Sequence, residues 1–148
     1  MTKKISIIIP CYNSEKWIDQ SVRSALDQDY TNTEVIFVDN ESTDDSVKIV
    51  KNIQKEYPSL IMSSAPNIYP NCWDEPKGVG FELSSGDYLF VMGSDDFLDQ
   101  CFLSNCMKYI EKAPEDILAF QSPIRGVQGQ GAELVYVGDV THSYRSPG

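Results

Sequence analysis

What this sequence lacks narrows the field first. Its four cysteines, Cys11, Cys72, Cys101 and Cys106, make no C-x-x-C pair and no compact disulfide framework, which excludes the usual zinc and dithiol spacings. They read as reduced thiols of a cytosolic protein. No G-x-G-x-x-G follows the first strand-like run and no G-x-x-x-x-G-K-[ST] occurs, so dinucleotide-binding dehydrogenases and P-loop enzymes are unsupported. Basic residues are scarce, 12 against 22 acids, and the formal charge of -10 repels nucleic acid and anionic membrane. Long apolar runs are missing too. The stretch "MTKKISIIIP" offers an apolar run of only five residues, too short for a signal peptide or a transmembrane segment.

What is present suits a folded α/β chain. With 148 residues and 41% apolar content there is enough material for a real core, which argues against disorder. "KISIIIP" is a β-branched run stopped by Pro10, the pattern of a buried strand. Ser14 reads as an N-cap for a helix whose apolar face is Ile18, Val22, Ala25 and Leu26. "TEVIFVDN" is a second strand. The helix after it opens at Ser42 or Thr43, with Asp44 and Asp45 in its first turn and Val47, Val50, Ile53 and Tyr57 facing inward. "LIMS" is a weaker third strand, and "SAPNIYPNCWDEPKG" reads as an irregular loop. "VGFELSSG" follows as a short helix, "DYLFVM" as a fourth strand and "DILAFQ" as a fifth. Between the last two, "LDQCFLSNCMKYIEKAP" is a helix with Phe102, Cys106, Tyr109 and Ile110 on its inner face. After Gln121 the chain turns glycine-rich, with one strand expected at Leu134 to Val137.

Strands alternating with helices imply βαβ units and a mainly parallel sheet, whose ligands bind outside the carboxyl ends of the strands. That rule brings Cys11 to Asn13, Asp39 with Asn40, and Ser94 to Asp96 to one edge. Adjacent carboxylates such as Asp95 and Asp96 repel unless a cation compensates them, and hard oxygens suit Mg²⁺ or Mn²⁺. Taken alone, the pair also fits a solvated loop before a helix, and Asp39 a plain turn-former. A phosphoacceptor receiver domain would need its acidic pair after strand one, where this chain has "PCYN".

Taken together, "IIIPCYN", "EVIFVDNESTDDS" and "SSGDYLFVMGSDDFLD", in that order, resemble the family 2 glycosyltransferases over about residues 3 to 115. The resemblance implies a GT-A fold, a Rossmann-like αβα sandwich with a mainly parallel central sheet. It also implies transfer of a sugar, with inversion, from a nucleotide-diphosphate donor, typically UDP-linked, to a saccharide or glycan acceptor in bacterial-type polysaccharide biosynthesis. Residue by residue, Pro10, Tyr12 and Asn13 match the segment that lies against the base, and Asp39 matches the acid that accepts a hydrogen bond from it. Asp95 matches the last Asp of the metal-binding D-x-D motif, with Asp96 as an extra acid, while Gly93 replaces the first Asp and Ser94 offers a substitute contact. Lys77 stands where the family often has an arginine near the diphosphate. The implied cofactor is Mn²⁺ or Mg²⁺. The acidic motif that carries the family's general base is not found, and the tail offers Asp139 and His142 in its place. On this reading residues 1–121 form the nucleotide-sugar-binding core and 122–148 begin a truncated acceptor-binding part. The location implied is the cytoplasm or the inner face of the membrane. The alternative reading is a nucleotide-sugar-binding module with little or no transferase activity.

Overall fold

The computed structural model describes residues 2–68, 72 and 74–112, and the backbone of the strands at 117–120, 124–126, 135–137 and 143–145. The chain divides into two compact units, Met1–Cys106 and Met107–Gly148. In the first unit, β1 (Ile5–Cys11), β2 (Thr33–Asp39), β3 (Ile61–Ser64) and β4 (Tyr88–Val91) form one sheet in the order β3-β2-β1-β4, every pairing parallel. The connecting helices are α1 (Ile18–Leu26), α2 (Ser46–Glu56) and α3 (Glu75–Leu83), and α4 (Phe102–Ile110) follows β4.

The strand order fixes the layers. Successive right-handed crossovers from β1 to β2 to β3 run in one direction and leave α1 and α2 on one face, where they pack on each other. The chain then returns to the far side of β1, so its third crossover puts α3 on the opposite face, over β1, β2 and β3. Both faces being covered, Ile7, Ile8, Ile9, Ile36, Phe37 and Val38 are completely buried. Each such side chain contributes about 1.5–3 kcal/mol of apolar burial. The close fit of α3 depends on Gly80, whose missing Cβ would lie 2.3 Å from Ile8 Cγ2.

The amino end of the sheet is closed by a polar network. Glu34 accepts bonds from Lys4 Nζ at 2.6 Å, Ser6 Oγ at 2.6 Å and the Ser85 N–H at 2.6 Å, and the Gly86 N–H donates to Ser6 Oγ at 2.9 Å. Burial alone would raise the Glu34 carboxyl, but the bonds from Lys4, Ser6 and Ser85 outweigh it and hold the group at about 2.

Several expectations shift in detail. α1 starts at Ile18 and not directly after Ser14, whose hydroxyl is taken up by Ser94 Oγ at 2.6 Å and caps no helical N–H. α2 starts at Ser46 instead of at Ser42 or Thr43, so Asp44 and Asp45 precede its first turn. Asp44 Oδ1 accepts the Ser46 N–H at 3.0 Å while Oδ2 reaches the Glu15 N–H at 2.9 Å. The buried residues of α2 are Ser46, Val50 and Ile53, leaving Val47 and Tyr57 only half-buried. α3 absorbs Glu75 to Gly78 from the expected loop, since Pro76 in its first turn sacrifices no helical hydrogen bond. The inner face of α4 is rotated by about one residue from the expectation: Leu103 is buried and Tyr109 is 71% exposed.

In the second unit, β5 (Ile117–Phe120) pairs antiparallel with β8 (Ser143–Arg145), and β6 (Ile124–Gly126) with β7 (Val135–Val137). The fifth strand is therefore real but is not paired to the parallel sheet. The expected tail strand is β7, whereas β6 and β8 were not foreseen.

Candidate functional site

The switch point of this sheet lies between β1 and β4, because the chain leaves β1 toward β2 and returns to the other side of it as β4. The loops at the carboxyl ends of these strands meet there. The Met92 N–H donates to the Ile8 carbonyl at 2.9 Å, and beyond it Ser94 Oγ and Ser14 Oγ share a 2.6 Å hydrogen bond. α1 and the chain just after it support the acidic loop: from α1, Ser21 Oγ donates to the Gly93 carbonyl at 3.2 Å and Ser24 Oγ accepts the Leu98 N–H at 3.0 Å, and two residues past the helix end Gln28 Nε2 donates to the Asp99 carbonyl at 2.8 Å. Ser21 and Ser24 fall at i and i+3, so α1 presents them on one face.

Asp95 and Asp96 are exposed at the top of this loop. Their oxygens fold toward Gly93: a Cβ there would lie 2.8 Å from Asp96 Oδ2 and 2.9 Å from Asp95 Oδ1. Two hard oxygens thus converge on a small volume that a side chain at 93 would fill. Among the described residues no group of three His, Cys, Asp or Glu could hold a metal. The pair fits Mg²⁺ or Mn²⁺, which take one or two carboxylates and fill their remaining positions with water and phosphate oxygens.

The loops after β1 and β2 are laced into one surface. The Asn13 N–H donates to Ser42 Oγ at 3.0 Å, and Asn13 Oδ1 accepts the Thr43 N–H at 2.7 Å, with Asn13 itself held at φ 50°. Glu15 Oε2 accepts the Asp45 N–H at 3.0 Å. Tyr12 stands clear of this lacing with 49% of its surface exposed, while Pro10 is half-buried in β1 opposite Val38. Burial pushes the Cys11 thiol up despite hydrogen bonds from Ser46, Ser14 and Ser42, so it is an inert core residue and not a nucleophile.

Asp39 is partly committed to its own loop, both of its oxygens accepting the Ser42 N–H at 3.2 and 3.3 Å. The residue beside it was named in the sequence only as a neighbour, yet it carries the more telling geometry. Asn40 is 4% exposed, and its Nδ2 donates to the Cys72 carbonyl at 2.5 Å. A carbonyl can only accept, so the amide orientation is fixed and Oδ1 faces away, buried and without a partner among the described residues. An unpaired buried acceptor costs about 1–3 kcal/mol. The signal visible in the sequence was a second polar residue at a strand end; only packing showed which atom is unpaired.

Lys77 lies on α3, with its ammonium 3.2 Å from Asp74 Oδ1. Among the described residues no hydrogen bond joins it to the acidic loop. Asp139 and His142, like Trp73 of the long loop, lie outside the described residues.

Comparison with known proteins agrees with this geometry. Residues 6–67 match the family described as Glycosyl transferase family 2. An uncharacterized glycosyltransferase of Haemophilus influenzae is 38% identical over 95 residues, 64% of this chain and 37% of that protein. The Staphylococcus aureus poly(ribitol-phosphate) β-N-acetylglucosaminyltransferase TarS is 29% identical over 130 residues, 86% of this chain and 22% of TarS. The crystal structure of TarS 1–349 in complex with UDP superposes with a TM-score of 0.59 at 27% identity, covering 74% of this chain and 32% of that one. The mannosyltransferase PcManGT of Pyrobaculum calidifontis, in complex with GDP-Man and Mn²⁺, superposes with a TM-score of 0.68 over 79% of this chain and 34% of its own. At 20% identity that last likeness is one of fold alone. The fold is the GT-A fold. The chain spans between about a fifth and two fifths of the length of these curated relatives. No helix among the described residues is long and apolar enough to cross a membrane.

Proposed function

With residues 6–67 carrying the signature of a family 2 glycosyltransferase, we propose that the carboxyl edge of this sheet binds the nucleoside diphosphate of a sugar donor together with Mn²⁺ or Mg²⁺. On this reading the chain is the donor-binding part of an inverting glycosyltransferase acting on a saccharide or glycan acceptor. The observation that carries it is the docking of the Gly93–Asp96 loop against the loop after β1 at the switch point, through the Ser14–Ser94 bond, with the carboxylates of Asp95 and Asp96 converging beside Gly93.

Each residue then has a task. Exposed Tyr12, with Pro10 and Asn13 shaping its loop, offers a face for the base, and Asp39 supplies a carboxylate at the same strand end. TarS, which has been crystallised with UDP, supports a UDP-linked donor. Asp95 and Asp96 would hold the metal, with Ser94 beside them. When bound, the metal supplies positive charge to the departing diphosphate. Lys77 is assigned to the same diphosphate, in place of its pairing with Asp74. The acceptor hydroxyl loses its proton to a base, for which the tail offers Asp139 and His142.

The test is calorimetric titration of UDP, with CDP and GDP as controls, with and without Mn²⁺, on the wild type and Asp95→Ala. UDP binding that requires Mn²⁺ and falls at least ~100-fold in Asp95→Ala, a loss of about 2.7 kcal/mol, is the expected result. Absence of binding by any nucleoside diphosphate overturns the donor reading.

A further inference from the structure

The inward face of α1 is not wholly apolar. Ile18, Val22 and Ala25 are completely buried, yet Ser21 among them is 1% exposed, and a buried hydroxyl costs free energy unless it is bonded. The partner of its Oγ is the Gly93 carbonyl, at 3.2 Å, and that oxygen has a second task. It accepts the Asp96 N–H at 3.2 Å, closing the turn 93–96 that carries the acidic pair. Ser94, inside the turn, is held by Ser14 Oγ at 2.6 Å, and just past the turn the Leu98 N–H donates to Ser24 Oγ at 3.0 Å. The chain is thus fastened on both sides of Asp95 and Asp96. Their carboxylates are left out of this fastening: among the described residues neither has a hydrogen bond or ion pair, and their oxygens converge beside Gly93.

From this geometry we infer that Ser21 and Ser24 are positioning residues for the carboxylates of Asp95 and Asp96, acting through the backbone of the turn. The inference rests on the metal-binding reading above. Adjacent carboxylates repel, and in a slack turn they would swing apart. A turn fixed at both feet keeps their oxygens on one small volume before a cation binds, so little ordering is left to oppose binding. Alanine at either position would suit the helix better than serine, so the two hydroxyls serve the loop and not α1 itself.

The experiment titrates Mn²⁺ alone into wild type, Asp95→Ala, Ser21→Ala, Ser24→Ala, Ser24→Thr and Ser104→Ala, and follows amide exchange at Leu98 and, as a core reference, at Ile8. Ser21→Ala and Ser24→Ala should each weaken Mn²⁺ binding ~3- to 10-fold. In Ser24→Ala exchange at Leu98 should rise at least ~5-fold while exchange at Ile8 stays as in wild type. Ser24→Thr keeps a hydroxyl that can still bond the Ser21 carbonyl, as Ser24 Oγ does at 2.8 Å, and its methyl has room in the open cleft that Ser24 borders with Asp27, Gln28, Leu98 and Gln100. It should bind and exchange like wild type. Ser104→Ala removes a comparable bond beyond the turn, from Ser104 Oγ to Asp29 Oδ2 at 2.8 Å, and should leave Mn²⁺ binding unchanged. Unchanged Mn²⁺ affinity in either serine-to-alanine variant of α1, equal loss in Ser24→Thr or Ser104→Ala, or exchange at Ile8 rising as much as at Leu98 overturns the positioning role. Wild type that binds no Mn²⁺, or an Asp95→Ala variant that binds it equally well, instead overturns the metal-binding reading, and the positioning role falls with it.

Discussion

At the amino end of the parallel sheet the Glu34 carboxylate is met by Lys4, Ser6 and Ser85, while just past the far end of the same strand Asn40 Oδ1 is buried with no partner among the described residues. The contrast extends across the sheet. Gly86 at the amino end lets the backbone approach Ser6 and Lys4, whereas Gly93 at the carboxyl end leaves room for two exposed carboxylates. A closed network lowers the free energy of the fold; an open one keeps unsatisfied groups that a ligand can satisfy. The amino edge is therefore where substitutions should cost stability, and the carboxyl edge where they should cost binding.

The largest effect that would sharpen this contrast is at Glu34. Glu34→Gln should destabilise by about 2–3 kcal/mol in denaturant titration at neutral pH, with UDP binding unchanged. The folded carboxyl titrates at about 2, below its ordinary 4.5, so the contribution is complete above pH 4.5 and is lost as pH falls from there through 2. Wild type should lose stability across that window and converge on Glu34→Gln; parallel curves would show that the network does not stabilise through charge.

A matched pair of glycine substitutions follows. Gly86→Ala should cost about 1–3 kcal/mol of stability, because its Cβ would lie 2.7 Å from the Ser6 nitrogen and 3.0 Å from the Lys4 carbonyl, both backbone atoms that cannot step aside. Gly93→Ala meets only the mobile ends of Asp95 and Asp96, so its melting curve should stay within ~0.5 kcal/mol of wild type. Its Mn²⁺ affinity should drop ~3- to 5-fold as the carboxylates are pushed apart, measured by titration of the metal alone. If Gly86→Ala weakened metal binding as much as Gly93→Ala does, the division between the two edges would fail.

Much of this architecture was legible in the sequence because periodicity reports burial. "KISIIIP" and "TEVIFVDN" are near-continuous apolar runs since both faces of β1 and β2 are covered, and Val22, Ala25, Val50 and Ile53 mark the inward faces of α1 and α2. Helix starts were less legible, and for a definite reason. Ser14, Asp44 and Ser46 are the residue types that cap helices, but here they bond across to the neighbouring loop, so local capping rules placed α1 and α2 about one turn early. The α4 face was misjudged because its apolar residues ring the helix, and which of them is buried depends on what packs against it.

The candidate site divides in the same manner. The order of strands and helices, the polar residues at the strand ends and the acidic pair at 95 and 96 are properties of the chain itself, since alternation of elements and right-handed crossovers dictate a parallel sheet and its ligand-binding edge. Which atoms at that edge are satisfied is not a local property. The lacing of the β1 and β2 loops, the bonds from Ser21, Ser24 and Gln28 under the acidic loop and the fixed amide of Asn40 arise from hydrogen bonds between residues far apart in sequence. Such pairings depend on how the elements dock, and only the tertiary structure decided them.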